Sequence, residues 1–498
     1  MTVRVWGFYT SRFERSSSFF SAAGVSLAVV MVLSLASAPA LAGVYVEAAA
    51  DPFVTWIGSV TSQGDAAMQA DLARSTYSVD GSGIKIGVIS DSYNANAGAA
   101  ANVAAGDLPG VGNPNGYGTA VTVVKEHAGM SDEGRAMLQI IHDVAPGAQL
   151  YFHSAFNSPG AVGTPPSTTI ANAIDALVSQ GVDIIVDDVG ILTQARFQDG
   201  AAAQSVDAAK AAGIAYFSSA GNADNNATRV TYAGGVGGTV NWGTNDGLEI
   251  SFSGFGRLMV QWSDPYQTVS GAAAVTDFAV EITDTTGATT HLVINANNAS
   301  DDPYEFVAIV GPAGPIGIRV RHLSGSTDDL VQVSTFDGFG ITDVDDTNHQ
   351  TINGHAAALG GVAVAAHLHS VPGSVESFSS RGPTDIFFDT AGNAVNVSRA
   401  TPLLTAPDGV ATSVGGFSPF FGTSAAAPHA AAVAALMLER ADDLAFPMTV
   451  DELYQFLYDE AVDIETVGFD NLSGYGRIDA FAAVGAVPEP ATLLVLAI

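Results

Sequence analysis

The stretch that most limits what this chain can become is Phe420 to Met437, which reads FFGTSAAAPHAAAVAALM. Alanine is the strongest helix former and has no side-chain entropy to lose, so a run this apolar and uncharged reads as a helix buried on every face. With no cysteine to staple it, the surrounding core must come from apolar burial alone, which 498 residues can supply. Gly422-Thr423-Ser424-Ala425 stands at the entrance and puts Ser424 at the helix N-terminus. There, unpaired backbone N–H groups and the positive end of the dipole favour negative charge, such as an alkoxide or a tetrahedral oxyanion. Pro428 is expected in the first turn, where its missing N–H costs nothing. On the residues alone, a Ser or Thr cap on a core helix is the more ordinary reading.

Lys and Arg number 17 against 50 Asp and Glu, a formal charge of −33 that argues against a nucleic-acid or anionic-membrane partner. That balance suits solubility outside the cell and is compatible with halophily or calcium binding. No H-E-x-x-H, EF-hand loop or phosphate-binding glycine loop occurs, so no cofactor is assigned. Arg4, Arg12 and Arg15 precede an apolar run from Ala22 to Leu35 and the small-residue segment Ala38 to Ala42. Such an order reads as an export signal cleaved before Gly43 rather than as a membrane anchor.

Along the rest of the chain, Asp65 to Arg74 reads as a helix, and Ile84 to Ile89, a β-branched run, as a central strand ending at Asp91. A carboxylate just past the C-terminal end of a parallel strand lies where open α/β sheets build their sites. A helix over Ile170 to Ser179 leads to a strand within Gly181 to Gly190, and a helix around Asp207 to Ala212 to a strand within Ile214 to Asn222. From 226 to 345 the pattern changes to short alternating segments: Arg257 to Trp262, Asp277 to Ile282, His291 to Ile294, Glu305 to Ile309, Gly317 to Leu323 and Leu330 to Thr335. Alternation of this kind, broken by turn residues, signals an inserted antiparallel β sandwich. Ala356 to Ala366 resumes the first pattern, and Asp451 to Tyr458 reads as an amphipathic helix.

The segment GTSAAAPHAAAVAAL resembles the nucleophile segment of subtilisin-like serine peptidases, with Ser424 at the nucleophile and His429 at a structural histidine of the same helix. Ser90-Asp91-Ser92 resembles the family's aspartate motif, except that Tyr93 replaces the usual glycine. Ser131-Asp132-Glu133-Gly134-Arg135-Ala136, running on to Val144-Ala145-Pro146-Gly147-Ala148, resembles the stretch that carries the catalytic histidine, and Glu133 occupies its place. His142 lies nine residues on, about 13 Å up a helix, too far to share a proton with Ser424. A glutamate base is similar to the sedolisins, whose second carboxylate falls here on Met137, so the partner must come from elsewhere: Asp91 is the first choice and Asp188 the alternative. Neighbouring carboxyls cannot both ionise cheaply, and a carboxylate base then favours acid conditions.

Val182 to Gly190 resembles the substrate-cleft strand of the family, with Asp188 in place of a serine as a substrate-binding or third acidic group. Ser219-Ala220-Gly221-Asn222 resembles the motif whose asparagine amide donates to the oxyanion. Glu376 to Pro383, Thr405 to Gly409 and Gly474 to Ala480 resemble further family motifs. Val487 to Ile498 resembles the start of a PEP-CTERM sorting tail, implying an exosortase-type processing enzyme.

The resemblance implies an α/β fold with a mostly parallel sheet flanked by helices. It divides the chain into a signal peptide (1–42), an N-terminal segment (43–79), a peptidase domain in two parts (80–225 and 346–485), the inserted β domain (226–345) and the tail (486–498). It implies an exported, extracellular or cell-surface bacterial serine endopeptidase acting on protein or peptide substrates, with catalytic Ser424, Glu133 and Asp91 and oxyanion-holding Asn222. Catalysis by His142 near neutral pH, or an inactive surface-binding protein on the same scaffold, are the competing readings.

Overall fold

In the computed structural model, residues 58–156, 166–242, 246–296, 301–342 and 349–489 are described; the expected signal peptide and residues 490–498 of the expected tail lie outside them. The chain begins with α1 (Gln63–Ala67) and α2 (Ala70–Tyr77), then alternates strand and helix: β1 (Lys85–Ser90), α3 (Ala99–Ala105), β2 (Thr122–Lys125), α4 (Glu133–Val144), β3 (Gln149–Ser154), α5 (Pro166–Ser179), β4 (Ile184–Asp187), α6 (Ala201–Ala211) and β5 (Ala215–Ser219). The insertion holds β6 (Ala227–Thr231), β7 (Leu248–Trp262), a short α7 (Gln267–Ser270), β8 (Asp277–Thr283), β9 (Thr290–Ile294), β10 (Tyr304–Val310), β11 (Ile316–Ser324) and β12 (Leu330–Ile341). After it come β13 (Gly361–Leu368), the hairpin β14 (Thr384–Phe388) and β15 (Ala394–Arg399), β16 (Leu404–Asp408), α8 (Thr423–Asp443), α9 (Val450–Asp459) and α10 (Ala480–Gly485).

Seven strands make one wholly parallel sheet in the order β16-β13-β5-β4-β1-β3-β2. Alternate residues of each strand leave on opposite faces, and both faces are apolar. Ile86, Val88, Ile184, Val186 and Val364 pack with α4 and α8 on one side. Ile89, Ile185 and Tyr216 pack with α5 and α6 on the other. The alanine-rich α8 is buried from Thr423 to Met437, as its composition requires. The described residues fall in one compact unit.

Three expectations are corrected. The single helix over Asp65 to Arg74 is two, because the chain turns at Gln69, whose φ is +61°. Pro428 is the sixth residue of α8, past the first turn, because the helix already starts at Thr423; its missing N–H leaves the Ser424 carbonyl without the usual i+4 donor. The insertion's strands are antiparallel as expected, but they form one hydrogen-bonded network rather than two sheets. β7 pairs with β12 along one edge and with β11 and then β10 along the other, so the sheet divides at β7. Its apolar residues form a cluster of their own around Trp262, Phe278 and Val320.

Candidate active site

The site starts from two neighbouring strands. β1 lies beside β4, so the residues that follow their C-terminal ends, Asp91 and Asp188, emerge next to each other, and the Ser90 hydroxyl donates to Asp188 at 3.0 Å. Asp91 also receives the start of α4: its carboxylate accepts the backbone N–H groups of Glu133 (2.9 Å) and Ser131 (2.7 Å), and the Ser131 hydroxyl. A carboxylate on the unpaired donors of a helix N-terminus is favoured by charge-assisted bonding and by the dipole. Asp132 fastens the same turn from the other side, with φ +66°, an ion pair to Arg135 (2.9 Å), and bonds from Ser92 Oγ (2.9 Å) and Asn96 N–H (2.9 Å). Gly134 lets α4 come this close: a Cβ there would lie 2.9 Å from the Ser92 carbonyl oxygen and against the Phe152 ring.

Glu133, the first residue of α4, is thereby held over the ends of β1 and β4. The Ser424 hydroxyl and the Asp188 carboxyl lie within the reach of its carboxyl, and both act to lower its titration. Burial, and then the charge of Asp91, push Glu133 up to about 7, against the opposing pull of those two groups. Asp188 is raised well above the usual carboxylate range, by burial first and then by the charges of Glu133 and Asp91. The pair therefore titrates jointly and keeps a proton between its members.

Ser424 reaches Glu133 from the opposite element, the head of α8. Gly422 precedes it at φ +113°, a left-handed conformation that glycine adopts without strain, and its N–H donates to buried Asp408 at 2.8 Å. Thr423 donates both its N–H and its hydroxyl to the Asn222 side-chain oxygen, each at 3.0 Å. An N–H can only be met by an acceptor, so the Asn222 amide oxygen is fixed there and its NH₂ group is left to donate elsewhere. That nitrogen borders the turn before Ser424, 3.1 Å from where a Gly422 Cβ would sit. Beside it opens a cavity of about 280 Å³, lined among others by Asp188, Gly190, Asn222, Arg257, His355 and Ser424. His355 is fixed at its wall by Asp187, at 3.0 Å from Nε2.

The two histidines weighed in the sequence lie elsewhere. His142 is fully buried near the end of α4, edge-on to Tyr117 and beside Asn113, and burial lowers it to about 4. His429 is fully buried inside α8 between the Ala425 carbonyl (2.7 Å) and Ser62 Oγ (2.8 Å), and burial lowers it to about 3. Among the described residues no group of three or more His, Asp or Glu is placed to hold a metal ion.

Residues 98–476 match the family model described as "Peptidase_S8: Subtilase family". The chain belongs to the subtilase family. As a subtilase it is a serine peptidase by class, and protein or peptide substrates go with that class. No curated protein sequence matches it significantly. Among solved structures, this subtilase is similar to the Clostridium perfringens CspB protease, with 14% identity over 85% of this chain and 98% of that one and a TM-score of 0.56. A lanthipeptide protease (16% identity, 85% and 94% covered, TM-score 0.42) and MycP1 with its propeptide removed (14%, 85% and 98%, 0.41) also match. At such identities the CspB likeness speaks for the fold alone.

The sequence reading named Ser424, Glu133, Asp91, Asp188 and Asn222, and the subtilase brings all five to one place. Of the two carboxylates weighed as the partner of Glu133, Asp188 lies within the reach of its carboxyl, whereas Asp91 acts through the Glu133 backbone N–H and through its charge. Asp408 went unnoticed, although it interrupts the A-P-G pattern that Thr405 to Gly409 otherwise resembles. Arg257 and Phe336, which reach the cavity from β7 and β12 of the insertion, left no sequence signal at all.

Proposed function

We propose that this subtilase is an endopeptidase in which Ser424 is the nucleophile, Glu133 its general base, and Asp188 and Asp91 the groups that set the basicity of Glu133. The observation that carries the reading is the placement of Glu133, anchored by Asp91 at the head of α4, within the reach of the Ser424 hydroxyl, with burial and charge lifting its carboxyl to about 7. An ordinary carboxylate is a poor base for a serine; one with the basicity of an imidazole is not.

Ser424 Oγ attacks the scissile carbonyl as its proton passes to Glu133, which then delivers that proton to the leaving amine. Protonated Asp188 donates to Glu133 and holds the negative charge on the glutamate. The Asn222 NH₂ and the Ser424 backbone N–H, at the positive end of α8, receive the developing oxyanion. Water attacks the acyl-enzyme by the same relay in reverse.

A carboxylate base is expected to favour acid conditions; with Glu133 lifted to about 7, we infer instead a preference for neutral pH. Glu133 must be ionised to accept the proton, and that form gains population as pH rises through about 7, so activity declines below that value. We also read the enzyme as exported, on the strength of residues 1–42.

The test is cleavage of casein or a quenched peptide from pH 4 to 9 by wild type, Ser424→Ala and Glu133→Gln. Activity with an acid limb near neutrality that both substitutions abolish supports the reading. No activity at any pH would leave an inactive binding protein, and survival of Glu133→Gln would remove the glutamate from the mechanism.

A further inference from the structure

We propose that the junction between the insertion and the parallel-sheet layer holds a small monovalent anion of the halide class on Arg196. Arg196 is 1% exposed, and none of its three guanidinium nitrogens has a hydrogen-bond partner among the described residues. An isolated charge in a protein interior is among the costliest features a fold can carry, and buried charges are normally paired. Arginine is also the one cation that cannot escape by losing its proton. Burial lowers it only to about 10, so it stays charged under ordinary conditions.

Among the described residues no acidic side chain acts on it. The groups in electrostatic reach are the Tyr266 phenol and the like-charged Arg229, and Arg229 is itself committed to Asp385 at 2.8 Å. The Tyr266 hydroxyl is likewise buried and without a partner, so the unmet groups here include four donor atoms from two side chains, beside one positive charge. A water could accept from them but would leave the charge uncompensated; an anion does both.

The guanidinium is shut off from solvent, and the loop that carries it is tied on three sides. The Arg196 N–H donates to the Gln261 side chain of β7 (3.0 Å), whose NH₂ returns to the Gln194 carbonyl (2.8 Å). The Tyr266 N–H donates to the Gln198 side chain (2.7 Å), and the Phe387 N–H of the β14–β15 hairpin to the Phe197 carbonyl (2.8 Å). So closed a setting selects a small ion over a phosphate. The same loop begins with Asp188 to Leu192, which wall the cavity beside Ser424, so a bound anion fastens that wall to the insertion.

The full chain is melted at constant ionic strength while sodium gluconate is exchanged for sodium chloride or bromide. Wild type is expected to show a saturable rise in Tm, on the order of 2 °C or more, Arg196→Met none, and Tyr266→Phe a smaller one. Crystals grown in bromide are expected to carry an anomalous peak against the Arg196 guanidinium. Should Arg196→Met fail to fold, Tyr266→Phe and the bromide crystal decide. Equal Tm in all three salts, a rise that persists in Arg196→Met, or a bromide crystal with no peak at Arg196 would overturn the proposal.

Discussion

Replacing Glu133 by Gln tests the base and the strain it carries in one experiment. The folded protein lifts this carboxyl from 4.5 to about 7, a difference of about 2.5, and each unit is worth about 1.4 kcal/mol. Between those two values the folded state binds the proton that the unfolded state has released, so stability contributed by this group falls as pH rises through the window. Above pH 7 the ionised Glu133 costs the fold about 3 kcal/mol, shared with Asp188 because the two titrate together. The isosteric amide removes that cost. Glu133→Gln is therefore expected to match wild type in urea unfolding at pH 4 and to exceed it by up to about 3 kcal/mol at pH 8.5, while kcat falls roughly 10²- to 10⁴-fold. Such a trade of stability for activity is the usual mark of a working site. A stability difference that is the same at both pH values, or wild-type kcat in the mutant, would refute the argument that burial and Asp91 make this carboxyl a strong base.

The other predictions concern the parts around it. Asn222→Ala removes the amide beside the nucleophile and is expected to lower kcat roughly 10²- to 10³-fold with little change in KM, measured with a fluorogenic peptide. Gly134→Ala drives a methyl into the Ser92 carbonyl and the Phe152 ring, so unfolding should show a loss of about 1–3 kcal/mol and kcat should drop as α4 moves away from β1. His429 is held neutral, with its titration lowered from 6.5 to about 3, so the unfolded chain binds the proton first and stability is lost as pH falls from about 6.5 toward 3. His429→Gln should flatten that limb of a Tm-against-pH curve while costing stability at pH 8.

Much of this could be read along the chain. A helix of alanines can only be buried, a β-branched run between glycines can only be a central strand, and the alternation in Asp277 to Ile282 or Leu330 to Thr335 fixes which residues face an apolar layer. Those signals are local, and so are the motif residues that mark Ser424, Glu133, Asp91 and Asn222 as belonging together. Where the local rule competes with packing it can miss: Pro428 reads as a first-turn proline only if the helix starts late, and the pull of Asn222 and Asp408 on the Gly422–Thr423 turn starts it at Thr423.

Which carboxyl comes within reach of the base could not be read that way. Asp91 and Asp188 are far apart in the chain and both follow a strand; only the sheet order, in which β4 is laid against β1 by a crossover, brings them side by side under Glu133. The basicity of Glu133 is likewise a property of its surroundings, since desolvation and the charge of Asp91 arise only when α4 docks on the strand ends. The sequence by itself determines which groups are available and which faces must be hidden; proximity and dielectric exist only after the chain has closed on itself, and those two quantities decide how the same side chains behave.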